Sequence, residues 1–309
     1  MKIRVLGAAA GGGYPQWNCN HPNSRRARDN DPAALPRTQS SIAVSADGER
    51  WVLFNASPDL RQQINANDVL FPRQGLRDSP IKSVVLTNAD VDHVAGLLTL
   101  RESQPLRLYA TRRVLDVLAA NSVFNVLNPK FVVRQAMQLD EAADLQDRDG
   151  TDLGLRIEPF AVPGKVALWL EDASKGSNFG SVQEDTIALK VSCPGQSGTF
   201  FYVPGCASMP DTLARRLGGA ELVLFDGTLW TDDEMIASAT GVKTGRRMGH
   251  MSVSGSDGTI EAFKELGVGR KVLIHINTTN PILVADSAER AAVEQAGWEV
   301  ARDGMDIEL

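Results

Sequence analysis

The chain has 309 residues, 43% hydrophobic and 23% charged, the make-up of a globular protein with room for one large domain or two ordinary ones. Its 32 Lys and Arg against 38 Asp and Glu leave a net charge of -6, which argues against non-specific nucleic-acid binding, because that needs a basic footprint. Only 4 His and 3 Cys are present, so any metal or redox site draws on a short list.

The chain opens on a strand pattern, Lys2–Leu6, with no long apolar run behind it, and no secretory leader is expected. No run of about 18 apolar residues occurs anywhere, so no membrane span is expected. Cys19, Cys193 and Cys206 are odd in number and far apart, which fits a reducing cytoplasm better than a disulfide framework. Short, often β-branched strand patterns follow at Ser41–Ser45, Trp51–Asn55, Ser83–Thr87, Thr186–Ser192, Thr199–Val203, Glu221–Asp226 and Val272–Ile276. The first two of these flank Ala46-Asp47-Gly48, a hairpin signal. Helical periodicity appears at Asp59–Asn67, Val94–Glu102, Arg112–Ala120, Pro210–Leu217, Thr259–Leu266 and Ser287–Ala296, the last with Asp286 and Ser287 to cap it and Gly297 to stop it. Asn20–Arg37 and Glu171–Asp185 read as polar loops, and neither has the character of a linker between independent domains. The order is not the strict alternation of a doubly wound fold and suits packed sheets with helices outside.

Five segments carry chemistry-bearing residues. In Val84–Gly96 an apolar strand runs into a polar loop holding Asn88, Asp90, Asp92 and His93, then into an apolar helix. Adjacent Asp92 and His93 can face one point from a sharp turn, although Asp90 or Asp92 would serve equally as a helix N-cap. In Lys271–Pro281 another apolar strand delivers His275, which on its own is most simply a core histidine. Arg246-Arg247-Met248-Gly249-His250 is either a loop near anionic groups or an ordinary loop, and Asp226 at the end of a strand is equally a turn residue. Cys19-x-His21 spacing offers two ligands, where a structural zinc wants four. The Gly7–Gly13 stretch lacks the Lys and Ser/Thr of a P-loop and the last Gly of a dinucleotide fingerprint, which leaves a tight turn, plain or beside a site.

The Asn88-x-Asp90-x-Asp92-His93 element resembles the His-x-His-x-Asp-His motif of the metallo-β-lactamase superfamily, and the strand holding His275 is similar to the one carrying that superfamily's last ligand. Taken together, Gly11–Cys19, Arg37–Ser41, Asn55–Asp59, Asp90–Leu98, Val203–Cys206, Phe225–Thr228, Met248–His250 and His275–Pro281 resemble the family of pyrroloquinoline quinone (PQQ) biosynthesis B proteins over nearly the whole chain. The resemblance implies an α+β fold, a four-layer αββα sandwich in a single domain over residues 1–309. It makes Asp92, His93 and His275 metal ligands. It also marks departures from the superfamily: Asn88 and Asp90 replace the first two histidines, Lys165 takes the place of the middle His, and Cys206 that of a bridging Asp. The family's Cys-x-Cys-x-x-Cys zinc motif becomes Cys19-x-His21-x-x-Ser24, a degraded structural zinc site.

Two imidazoles and one carboxylate with open positions suit Fe(II), although such donors also accept zinc. Asp90, Asp226 and His250 then form the catalytic and supporting set around the metal. The resemblance implies an Fe(II)-dependent oxygenase that uses O2 to hydroxylate the tyrosine ring of the cross-linked Glu–Tyr precursor. Lys243, Arg246 and Arg247 are the expected partners of that small molecule's carboxylates, and contact with other PQQ-pathway proteins is a further expectation. The alternatives are a carrier that binds PQQ or its precursor for transport, and a metal-dependent hydrolase.

Overall fold

A computed structural model describes residues 1–176 and 179–309. Among the described residues fourteen strands form two seven-stranded sheets. The first sheet takes β1 (Lys2–Gly7), β2 (Ser41–Ser45), β3 (Trp51–Phe54), β4 (Ile81–Val85), β5 (Leu106–Thr111) and β6 (Val132–Met137). The second takes β7 (Ala143–Gln146), β8 (Asp152–Ala161), β9 (Ile187–Ser192), β10 (Thr199–Val203), β11 (Leu222–Asp226), β12 (Arg270–Ile274) and β13 (Trp298–Val300). The last strand, β14 (Asp306–Glu308), returns to pair antiparallel with β1 and closes that edge of the first sheet.

Alternation along the strands sorts side chains into layers. Val52 and Phe54 of β3, with Leu153, Leu155 and Ile157 of β8 and Leu222 and Leu224 of β11, meet in a core between the sheets. Leu53, Val84 and Leu108 point the other way, onto Val114, Leu115 and Leu118 of the helix Arg112–Ala120. Val223, Phe225 and Trp298 face Leu213, Phe263 and Val293 on the far side of the second sheet. Helices therefore cover both outer faces, and the architecture is the expected four-layer αββα sandwich.

Strands β5 to β8, β13 and β14 lack the compact β-branched runs that marked the others. In β8, Gly154 and Pro159 interrupt the pattern, yet its even-spaced Leu153, Leu155 and Ile157 are fully buried. Pro159 lies beyond the last β7–β8 pair, Ala143–Ile157, so its missing N–H breaks no bond on that side. The helix expected over Thr259–Leu266 is only Thr259–Ala262, and most of Val94–Glu102 is a 3₁₀ turn, Ala95–Arg101, following a single α turn, Val91–Val94. The polar loop Glu171–Asp185 contains 3₁₀ turns at Ala173–Lys175 and Gln183–Asp185, while residues 177 and 178 lie outside the described residues. Among the described residues no helix is long and apolar enough to cross a membrane.

Phe225, Phe263 and Trp298 pack edge to face, with Phe263 centred 4.9 Å from each of the other two rings. Phe263→Ala is expected to cost about 3–5 kcal/mol of unfolding free energy, from lost burial and the cavity left behind. Urea denaturation checks this, and a loss below about 1 kcal/mol would show that the outer aromatic layer is not the support described.

Candidate metal centre

The parallel strands of both sheets end on one side of the sandwich, and the candidate residues hang from those ends, the usual place for a site in open sheets. Asp92 and His93 follow β4 in the turn Val91–Val94, Asp226 ends β11, and His275 immediately follows β12. Local backbone features fix them. Ala56 N donates to the His93 carbonyl at 2.7 Å and Gly96 N donates to the Ala56 carbonyl at 2.9 Å. A Cβ on Gly96 would lie 2.1 Å from the Ser57 carbonyl oxygen, so only glycine allows this approach. His275 sits at φ +61°, a strained conformation for a non-glycine residue. Gly227 N to the Ile274 carbonyl, Ile276 N to that of Ala8 and Asn277 N to that of Thr228 clamp it from both flanks.

Asp92, His93 and His275 present ligand atoms within 4.8 Å of one another. His93 and His275 are 2% and 4% exposed. His93 Nδ1 lies 2.7 Å from Asn88 Oδ1, a pure acceptor, so the ring carries its proton on Nδ1 and turns an Nε2 lone pair inward. That Nε2 is buried and has no protein partner. His275 Nδ1 lies 2.9 Å from Thr228 Oγ1, and its Nε2 lies 3.1 Å from Asp92 Oδ2. Burial by itself would raise the Asp92 carboxyl, but His93 and His275 outweigh it and hold the group well below the usual carboxylate range. Burial pushes the His93 imidazole down. It also works against charged His275, where the bond to Asp92 prevails and raises the imidazole.

A second cluster, Asp226, His250 and His275, meets the same spacing. Its members are already joined to one another. The Thr228 hydroxyl donates to Asp226 Oδ1 at 2.6 Å and lies 3.1 Å from His250 Nδ1, while His250 Nδ1 reaches Asp226 Oδ2 at 2.7 Å. Cys206 N also donates to that oxygen, at 2.8 Å. This knot orients His275 and His250 as outer partners orient the ligands of a metal. Thr228 was not singled out from the sequence, and its place two residues after Asp226 is the only local signal for it.

The other expected site residues lie outside these two clusters. Asp90 Oδ1 accepts from Leu168 N at 2.9 Å, and Asp90 Oδ2 is 3.9 Å from Lys165 Nζ, so Asp90 faces the loop after β8 and joins neither cluster. Lys243 and Arg247 both turn to Glu171, whereas Arg246 pairs with Asp257 away from them. Cys206 is buried, and burial first, then Asp226, pushes its thiol up to about 12. His21 Nδ1 caps the helix Pro22–Arg28 by accepting from Asn23 N, Cys19 Sγ accepts from His21 N, and Ser24 is bonded to Thr278. Cys19 and His21 join no group of three candidate ligands among the described residues. Gly11 does border the centre, since a Cβ there would lie 3.4 Å from Asp92 Oδ2.

The sandwich and the candidate ligands at its strand ends define a protein of the metallo-β-lactamase type, and a family model described as a Beta-lactamase superfamily domain matches residues 50–276. The chain belongs to the coenzyme PQQ synthesis protein B family. It is 56% identical to the protein of that name from Xanthomonas campestris pv. campestris over 309 residues, all of both chains. It is also 56% identical to the one from Gluconacetobacter diazotrophicus, over 99% of each. Zn(2+)-bound PqqB from Methylobacterium extorquens superposes with a TM-score of 0.94 at 50% identity over 100% of both chains. A diphosphatase of the PhnP family shares the fold, with a TM-score of 0.66 at 21% identity, covering 100% of this chain and 97% of that one. The zinc in the Methylobacterium protein corrects the expectation of Fe(II). Imidazole and carboxylate donors hold either metal, so their identity in the sequence did not select iron.

Next to Thr279, Glu234 is half-buried, accepting from the Thr279 hydroxyl at 2.5 Å and from Trp230 N at 2.6 Å. Burial raises its carboxyl from 4.5 to about 7. An acid raised on folding stabilises most below its unfolded value and loses that contribution as pH rises through the folded one. The contribution of Glu234 to stability is therefore expected to fall by roughly 3 kcal/mol between about pH 4.5 and 7. Glu234→Gln should flatten that part of the profile in urea titrations, and an unchanged slope would show that Glu234 does not titrate there.

Proposed function

We propose that the protein is a zinc-dependent enzyme of PQQ biosynthesis, with Asp92, His93 and His275 as ligands, acting hydrolytically on a carboxylate-bearing precursor. The buried, unpartnered Nε2 of His93, facing the same point as Asp92 and His275 Nε2, carries this reading. Two imidazoles and one carboxylate are a donor set found in catalytic zinc sites, which keep a further position open. Bound there, zinc supplies a Lewis acid that polarises an acyl or phosphoryl oxygen and acidifies a coordinated water. Asn88 and Thr228 hold the two imidazoles with their Nε2 atoms inward. His250, oriented through Nδ1 by Asp226, leaves its Nε2 to accept or return a proton, the base-and-orienter arrangement of general acid–base catalysis. Lys243 and Arg247 supply positive charge for the precursor's carboxylates, with Arg246 farther out.

A second reading, hydroxylation of the tyrosine ring of the cross-linked Glu–Tyr precursor, has one observation in its favour: three protein ligands leave room for both O2 and substrate. One experiment separates the two. Protein loaded either with zinc or with a redox-active divalent metal, and supplied with ascorbate as a two-electron donor, is mixed with a peptide carrying the cross-linked Glu–Tyr pair, with and without O2, and product masses are read. Fragments that together exceed the peptide by one water, formed without O2, are expected. A gain of one oxygen that requires O2 would establish hydroxylation instead, and tight binding without turnover would indicate a carrier.

Thr228→Val removes the hydroxyl shared by Asp226, His250 and His275. Zinc affinity, measured by competition with a chelator, should fall about 10–100-fold with the fold retained. Unchanged affinity would mean the Thr228 knot does not support the ligands.

A further inference from the structure

Glu171 is the least explained charge near the centre. Its side chain is 12% exposed and meets three cations at once. Arg247 grips it with both terminal nitrogens, at 3.2 Å to Oε1 and 2.6 Å to Oε2. Lys165 Nζ lies 3.5 Å from Oε1 and Lys243 Nζ 3.7 Å from Oε2. Bonding to Arg247 first, and then the two lysines, holds the Glu171 carboxyl down at about 2 despite its burial. The next carboxylate, Asp90, is 3.9 Å from Lys165 Nζ and already accepts from Leu168 N. Three positive charges thus share two negative ones in a half-buried setting, where unbalanced charge is costly and a further anion is favoured.

The cluster adjoins the metal ligands. Asp90 stands two residues before Asp92, and a Cβ on Gly249, the residue before His250, would lie 3.2 Å from Lys165 Cγ. Lys165 itself is 15% exposed, and its ammonium group also donates to the Val166 carbonyl at 3.2 Å. The Arg247 guanidinium lies 3.5 Å over the Phe179 ring, which fixes the plane of its fork. That fork is built for a carboxylate taken two oxygens at a time, which is how it holds Glu171.

We infer that Lys165, Lys243 and Arg247 form a carboxylate-binding subsite beside the metal centre, and that Glu171 fills it in the free protein and yields it to a ligand carboxylate. The identity of the natural ligand rests on the proposed action on a PQQ precursor; the subsite itself rests on the four side chains. Glu171 then sets specificity by competition: only ligands whose carboxylate binds the Arg247 fork better than the internal one gain entry. Arg246, paired with Asp257, takes no part.

The test is calorimetric titration of the full-length protein, metal-free and zinc-loaded, with two probes: benzene-1,3,5-tricarboxylate and PQQ. Glu171→Gln keeps the side chain's size and removes its charge, and it should lower the Kd for the tricarboxylate about tenfold or more in both forms. Lys165→Met and Arg247→Met should raise that Kd by a similar factor. If Arg247→Met fails to fold, Lys243→Met serves, since Lys243 is 35% exposed on the rim. Unchanged or weaker tricarboxylate binding in Glu171→Gln, with the unfolding temperature of the parent protein, overturns the inference. A tricarboxylate response without any PQQ binding supports the subsite while removing PQQ chemistry as its purpose.

Discussion

His93 is a buried imidazole whose Nδ1 is engaged by Asn88 and whose Nε2 meets no protein donor. Leaving a polar atom dry and unpaired costs on the order of 1–3 kcal/mol, and folded proteins rarely retain such a cost without a compensating ligand. Here the lone pair shares its space with the carboxylate of Asp92 and with His275 Nε2. A cation at that point satisfies all three at once. The strained φ of His275, the carboxyl of Asp92 held low and the Thr228 knot all follow from keeping those atoms aimed at one place.

The fold explains how so few histidines suffice. Asp92 and His93 come from the first sheet, and Asp226 and His275 from the second. The core between the sheets fixes the separation of those strand ends, so each ligand needs only local orientation. Oxygens supply that orientation: Asn88 for His93, and Asp226 through Thr228 for His275. Positions that carry further histidines in the superfamily resemblance are put to other uses. Asn88 orients a ligand, Asp90 secures the loop after β8, and Lys165 joins the cationic cluster around Glu171. One cluster that could hold a cation results, Asp92, His93 and His275, next to the hydrogen-bonded Asp226–His250 pair.

Much of this was legible in the sequence because the informative residues are local. Asp92 and His93 adjoin each other between an apolar strand and a helix, and His275 directly follows the apolar run Val272–Ile274. The αββα layering was legible mainly through resemblance, since β5 to β8 carry Gly154, Pro159 and charged residues that blur their alternation. What stayed hidden depends on chain crossings. Glu171 and Arg247 are 76 positions apart, and the bond between Thr228 and His275 spans 47. No local pattern announces either. The metal's identity was hidden for a different reason: carboxylate and imidazole donors do not distinguish iron from zinc.

The metal is expected among Asp92, His93 and His275 and not at Cys19 or Cys206. Zinc K-edge X-ray absorption on the zinc-loaded protein tests it directly, because sulfur and nitrogen or oxygen ligands differ in both distance and scattering. A shell of nitrogen and oxygen neighbours at about 2.0–2.2 Å, with two imidazoles and no sulfur, is the expected result. A sulfur neighbour at about 2.3 Å would place the zinc on a cysteine and contradict it.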